Sequence, residues 1–302
     1  MLIAVAATPD VAIPTLELLL QRSENLAAVI TQPDRPAGRG LAIKESAVAV
    51  WARHHKIRAF KPESQEELAA IAADFDLIIT IGFGMIIREE ILALPKFGFI
   101  NLHFSLLPRW RGAAPVQRAI EAGDMHTGVS VFKLDRGMDT GPIYRQKQIE
   151  IAPDATTESL LRELSEIGAE TVLETISDIR SAIFPTAQDA DGATRANKLS
   201  KEEGRIDWSM SALAIDRKIR AFYPNPGSWT TFRGSSIKIL KVEISSNKFA
   251  EAGQIKIIDR QLIVSCGDLS LKVIDIQPSG KPVMAATAWV NGAALKTSER
   301  FE

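Results

Sequence analysis

The chain has 302 residues, of which 46% are hydrophobic and 24% charged, with a formal net charge of −1, the composition of an ordinary globular chain with one large or two medium domains. The lone cysteine, Cys266, cannot close an internal disulfide, and no Cys/His cluster has zinc-ligand spacing, so neither bridges nor a structural metal are implied. The first ten residues carry no basic leader and no stretch approaches the roughly 20 apolar residues that span a bilayer, so a soluble, cytoplasmic protein is expected.

Over the first 150 residues short apolar runs alternate with longer amphipathic ones, the pattern of a parallel sheet with crossover helices. Strands are predicted over 2–7, 26–31, 76–81, 99–103, 128–134 and 142–151, with helices over 13–21, 45–54, 65–73 and 114–122. Ser64 and Glu67 have capping-box spacing ahead of the third helix. A long helix is predicted over 158–179, with Leu160, Leu161, Leu164, Ile167, Val172 and Ile176 at helical spacing and Thr157 as its N-cap. Periodicity then fades over 181–207 into Pro, Gly, Asp, Thr and Lys, which reads as a linker. After a short helix over 212–221, alternating and β-branched runs such as 237–244 predict a small antiparallel barrel. The expected fold class is therefore α/β: an open, mostly parallel, Rossmann-like sheet over 1–180, the linker 181–207, and an OB-like β-barrel over 208–302.

Charge divides unevenly along the chain. Residues 1–203 carry 22 basic against 28 acidic residues, net −6, whereas 204–302 carry 14 against 9, net +5. Such an excess suits a polyanion, and it equally suits a solvated surface.

Three stretches have residues able to carry chemistry. In Phe99-Ile-Asn-Leu-His-Phe, side chains two apart on a strand share a face, so Asn101 and His103 project together and Ile100, Leu102 and Phe104 face away. Ligands of open parallel sheets bind beyond the carboxyl ends of strands. There an Asn amide can donate to a developing oxyanion and an imidazole can exchange a proton near neutral pH; the alternative is a pair that caps the strand end. In Asp135-Arg-Gly-Met-Asp-Thr-Gly-Pro142, Asp139 is placed to approach His103 and orient it or take up a proton, and the alternative is a conformational turn. Gln32-Pro-Asp-Arg-Pro-Ala-Gly-Arg-Gly40 offers Arg35 and Arg39 for phosphate contacts, or is a plain surface loop. No dinucleotide fingerprint, Walker sequence or Gly-x-Ser-x-Gly elbow is present. His54, His55 and His126 read as surface residues.

At Asn101-Leu-His103, Ser105-Leu-Leu-Pro108 and Asp139 the sequence resembles the formyltetrahydrofolate-dependent formyltransferases. The resemblance implies that Asn101, His103 and Asp139 form the catalytic set and that Ser105, Leu106, Leu107 and Pro108 contact the folate. It also implies 10-formyltetrahydrofolate as formyl donor, with no metal. The stretches 109–117, 31–40 and 198–208 are similar to the branch of that superfamily whose acceptor is methionyl-initiator tRNA. This implies N-formylmethionyl-tRNA as product, Arg39 on a loop reaching the acceptor stem, Lys198 and Lys201 on a basic linker beside the tRNA, and a barrel that helps hold it. A monomer is the default expectation. Two positions depart from the family pattern: Phe104 and Ala7 stand where glycine is frequent, and strand alternation directs Phe104 away from the polar pair. The rivals are a small-molecule formyltransferase, a formyltetrahydrofolate hydrolase and an inactive tRNA-binding protein.

Overall fold

Strands β1 (Ile3–Ala7), β2 (Leu26–Ile30), β3 (Arg58–Phe60), β4 (Leu77–Ile81), β5 (Phe99–His103), β6 (His126–Lys133) and β7 (Ile143–Glu150) form one sheet in the computed structural model, which describes residues 1–37, 42–246, 250–296 and 299–302. The order is β7-β6-β5-β4-β1-β2-β3. Neighbours from β3 to β5 run parallel, while β6 is antiparallel to both β5 and β7. All residues of β1 and β4 are buried, as strands covered on both faces must be, and this is why they read as unbroken apolar runs. The short edge strand β3 was not anticipated, because three residues, Arg-Ala-Phe, with two exposed give no periodic signal. The order reverses between β1 and β4, the switch point at which the carboxyl ends of an open sheet diverge and leave a crevice.

Helices α1 (Ile13–Gln21), α2 (Ala47–His55) and α3 (Gln65–Ala72) connect these strands, and α4 (Pro115–Ala122) follows β5. Ser46 caps α2 by accepting from the Ala49 N–H. Ser64 likewise accepts from Glu67 N–H, while the Glu67 carboxylate accepts from Glu63 N–H, one residue before the expected capping-box partner. Helix α5 spans Thr157–Arg180. Thr157 is its first residue rather than its cap, and its hydroxyl donates to the Ala221 carbonyl at 2.6 Å; Thr156 Oγ1 accepts from Ser159 N–H instead.

The chain divides into two compact units, one comprising Met1–Pro115, His126–Glu150 and Leu161–Ala196, the other Val116–Met125, Ile151–Leu160 and Asn197–Glu302. The segment read as a linker is not a free tether. Within the first unit Arg195–Ala196 pairs in parallel with Arg111–Gly112, and Thr186 bridges Ile143. These bonds use backbone and polar side chains, so they leave no hydrophobic period to read.

In the second unit, α6 (Ala212–Phe222) is capped by Ser211 and packs on the strands β8 (Ser228–Phe232), β9 (Ser235–Ser245), β10 (Ile255–Ile258), β11 (Gln261–Ser265) and β12 (Ser270–Pro278), followed by α7 (Ala286–Ala293). The antiparallel order is β8-β9-β12-β11-β10. Residues 299–302 join the two edges. Glu302 exchanges two backbone hydrogen bonds with Thr231 of β8, Phe301 N–H donates to Gly253 O, and Ile255 N–H at the start of β10 donates to Glu299 O. These bonds bridge the two edges and close the sheet as a barrel. Its interior stacks Trp208 on Phe301 with ring centroids 5.7 Å apart, with Phe232 edge-on to Trp289, and Trp208 Nε1 donates to Thr230 Oγ1.

Candidate active site

Period-two geometry at the end of β5 sets Asn101 and His103 on one face, and each is held by a partner supplied from a neighbouring element. The Thr80 hydroxyl, near the end of β4, lies 2.9 Å from Asn101 Oδ1 and 3.1 Å from the Ile100 carbonyl. With Oδ1 engaged as an acceptor, the Asn101 NH2 is left to donate elsewhere. His103 is only 6% exposed, and its Nε2 is 2.9 Å from the Trp110 carbonyl oxygen. A carbonyl cannot donate, so Nε2 carries the proton, and Nδ1 is the ring atom at which a proton is gained or lost.

That atom faces Asp139, with Nδ1 3.8 Å from Oδ2. The separation is longer than a hydrogen bond, and it is an ion-pair distance once the ring is protonated. Asp139 Oδ2 also accepts the Gly112 N–H at 2.7 Å. Glycine is required at 112: its φ is +125°, and a Cβ there would stand 2.7 Å from the Ala196 carbonyl oxygen. The stretch 110–112 therefore grips both members of the pair through its backbone, the ring by one carbonyl and the carboxylate by one N–H.

Beside these groups opens a cavity of about 420 Å³. Asn101, His103 and Asp139 line one part of it; Phe83, Ile87, Leu92 and Leu134 supply an apolar part. Ile86 and Met138, also in the lining, are 83% and 65% exposed, large apolar side chains held in water at its rim. The cavity lies beyond the carboxyl ends of β4 and β5, beside the switch point, where Thr8 after β1 donates to the Phe83 carbonyl and Gly82, at φ +56°, lets that turn approach Pro9.

The structure thus brings Asn101, His103 and Asp139 together. Ser105, Leu106, Leu107 and Pro108 are absent from the cavity wall: Ser105 is fully buried and donates to the Arg109 carbonyl, and Leu107 is buried with its N–H on Ser130 Oγ. Phe104 does line the cavity, because it lies one residue past the end of β5, where strict alternation no longer governs its direction. Lys198 and Lys201 are exposed in the second unit, and Arg39 lies outside the described residues. Arg35 is exposed and donates to Gln32 Oε1. His55, read as a surface residue, is half-buried, stacked on Trp51 and 3.3 Å from a Glu17 carboxylate oxygen.

Sequence reasoning missed Thr80, the Trp110 carbonyl and the Gly112 N–H. Thr80 passes for an ordinary β-branched strand residue, and the other two act through backbone atoms that side-chain identity does not reveal. Among the described residues no group of three His, Cys, Asp or Glu could hold a metal ion, and no helix is long and apolar enough to cross a membrane.

Residues 1–176 match the formyl transferase family model, and 198–294 match the formyl transferase C-terminal domain. Methionyl-tRNA formyltransferase of Dechloromonas aromatica is 40% identical, aligned over 98% of this chain and 97% of its own length. That of Mycobacteroides abscessus is also 40% identical, over 98% of both chains. Among solved structures, HypX of Aquifex aeolicus in complex with tetrahydrofolic acid superposes with a TM-score of 0.69 at 18% identity, covering 99% of this chain, which spans about half (48%) of HypX. With both family models matched in order and relatives aligned along nearly its whole length, the chain belongs to the formyl transferase family.

Proposed function

We propose that the chain transfers a formyl group from 10-formyltetrahydrofolate to the α-amino group of methionyl-initiator tRNA, producing N-formylmethionyl-tRNA for translation initiation. The observation that carries this reading is the convergence of Asn101, His103 and Asp139 beside a part-apolar cavity at the carboxyl ends of β4 and β5. Full-length relatives named for this reaction support the choice of acceptor.

The amine nitrogen attacks the formyl carbon, a C–N bond forms, and the carbonyl electron pair moves onto oxygen. Donors already in place stabilise that charge more than mobile water can. The Asn101 NH2 is one donor, and a protonated His103 Nδ1 is the other. Asp139, 3.8 Å from His103 Nδ1, orients the ring and helps carry away the amine proton. Collapse of the tetrahedral species breaks the bond to the folate nitrogen, which leaves with a proton. Positioning and oxyanion stabilisation supply the acceleration, and no step needs a metal. Only the neutral amine attacks, so turnover falls at low pH.

The apolar part of the cavity suits a flat heteroaromatic ring of the folate. Ser105, Leu106, Leu107 and Pro108 act on it by shaping the turn after β5. Arg39 on the 35–44 loop, Lys198, Lys201 and the net positive second unit meet tRNA phosphates. The enzyme works in the cytoplasm, as a monomer.

The test is formyl transfer from 10-formyltetrahydrofolate to Met-tRNA, run beside uncharged tRNA and free methionine, with His103→Ala as control. Product on Met-tRNA alone, lost in the variant, is expected. Formate release without acceptor would instead indicate a hydrolase.

A further inference from the structure

The turn 134–142 poses a physical problem. Asp135, Arg136, Met138 and Thr140 are exposed, and Asp139 sits at φ +56°, a left-handed conformation that costs a residue with a side chain about 1 kcal/mol or more unless its surroundings hold it. An exposed, strained turn is a poor platform for a carboxylate that must stay within a few ångströms of an imidazole.

Asp135 Oδ1 braces the turn from within, accepting from Gly137 N–H and the Thr140 hydroxyl, while the bonds to its Asp139 and Gly141 carbonyls come from a segment with no catalytic motif. Gln188 Nε2 donates one hydrogen to the Asp139 carbonyl at 2.9 Å and the other to the Gly141 carbonyl at 2.8 Å. Its Oε1 accepts from Arg111 Nη2 at 2.7 Å and from Nε at 3.2 Å. Both donors and the acceptor of one amide are therefore in use, and they join two loops. One loop carries Asp139. The other contains Trp110, whose carbonyl faces His103, and Gly112, whose N–H donates to the Asp139 carboxylate. Thr194, further along the same segment, accepts the Trp110 N–H on its hydroxyl and the Arg111 N–H on its carbonyl.

We infer that Gln188 is a positioning residue for formyl transfer: its side chain ties the Asp139 turn to the 110–112 stretch and thereby sets the separation of Asp139 from His103. The inference rests on the proposed role of Asp139. Glutamine is the side chain that meets these demands at this length. Glutamate would keep the bond to Arg111 yet turn a carboxylate toward two carbonyl oxygens, and methionine would supply neither contact.

The test compares Gln188→Glu, Asp139→Asn and the double variant in formylation of Met-tRNA. Gln188→Glu is expected to lower kcat about 10- to 100-fold, the scale of a misplaced catalytic group, with KM for Met-tRNA and for 10-formyltetrahydrofolate changed less than about threefold. The alkaline limb of its pH–rate profile, where a protonated His103 is lost, should move, because the neighbour of His103 Nδ1 has moved. In the Asp139→Asn background the same substitution should cost little more, since the two residues act as one unit. If Gln188→Glu melts well below the wild type, Gln188→Met takes its place in the same cycle. Losses that multiply in the double variant, or an unmoved pH profile, overturn the inference while leaving the proposed function standing. Wild-type protein that fails to formylate Met-tRNA overturns both.

Discussion

Asn101 illustrates how much a single side chain carries here. Its Oδ1 is occupied by Thr80, so its NH2 is the group it can present to the substrate oxygen. Asn101→Ala should therefore lower kcat by about 10²- to 10³-fold, the usual cost of one oxyanion donor, with little change in KM. Single-turnover formylation measures this, and a loss confined to KM would assign Asn101 to ground-state binding. Cys266 is the opposite case. Burial, with Asp268 nearby, pushes its thiol up to about 12, so the thiolate that reacts with disulfide reagents is scarce at neutral pH. The native protein should leave it unlabelled over hours at about pH 8 and label only on unfolding; rapid labelling of the folded protein would contradict that burial. The period-two pairing of Asn101 with His103 was legible in the sequence, since strand geometry dictates it. The approach of Asp139 was one of two open readings, because a turn rich in Asp and Gly has conformational reasons enough to exist. Gln188 was hidden in a stretch whose bonds leave no periodic trace.

Among the elements, the hairpin of Arg35–Ala37 with Ala42–Lys44 is clamped at both feet. Lys61 reaches the two oxygens of Asp34 before it, at 2.6 and 2.8 Å, and Glu45 after it, at 3.5 Å; Thr31 and Ser46 hydroxyls meet at 2.7 Å. The Asp34 carboxylate, with Glu45 adding to it, holds the Lys61 ammonium charged to higher pH than usual. If the loop meets tRNA, Lys61→Met should raise KM for Met-tRNA roughly fivefold, from about 1 kcal/mol of lost ordering, and leave kcat near its normal value. Steady-state kinetics over a range of Met-tRNA concentrations would show it, and an unchanged KM would remove the loop from the binding surface. Helix α5 is tied to β7 by Arg145, which donates to both Asp178 carboxylate oxygens. That bond, the largest influence, lowers the pKa of Asp178 below 3.8. A depressed carboxylate stabilises the fold above its unfolded pKa and loses that contribution as pH falls through the folded value. The stability gap between wild type and Asp178→Asn should thus be full above about pH 5 and shrink below about pH 4, as followed by urea unfolding at each pH. A gap that grows on acidification would contradict the pairing. The central strands were readable because both their faces are buried; the edge strand β3 and the two-residue pair at 111–112 and 195–196 are too short for any period to register.

At the scale of the whole molecule, the second unit draws on three separate stretches of chain. Arg118 donates to the Asn197 carbonyl and pairs with Glu203, Thr157 donates to the Ala221 carbonyl, and Arg220 donates to the Ala155 carbonyl. A fragment comprising 197–302 lacks all of these partners. It should keep strand signal in far-UV circular dichroism yet show no cooperative near-UV transition on heating; a sharp transition matching that of the intact chain would refute this. Neither Val116–Met125 nor Ile151–Leu160 stood out in the sequence as foreign to the first unit, because each is a helical or turn segment with local patterning much like its neighbours. The interleaving also constrains inheritance. A gene that traded its second half for another at a single crossover would leave residues 118, 155 and 157 matched to the wrong partner. Exchange between lineages should then succeed only when all three stretches of the second unit travel together.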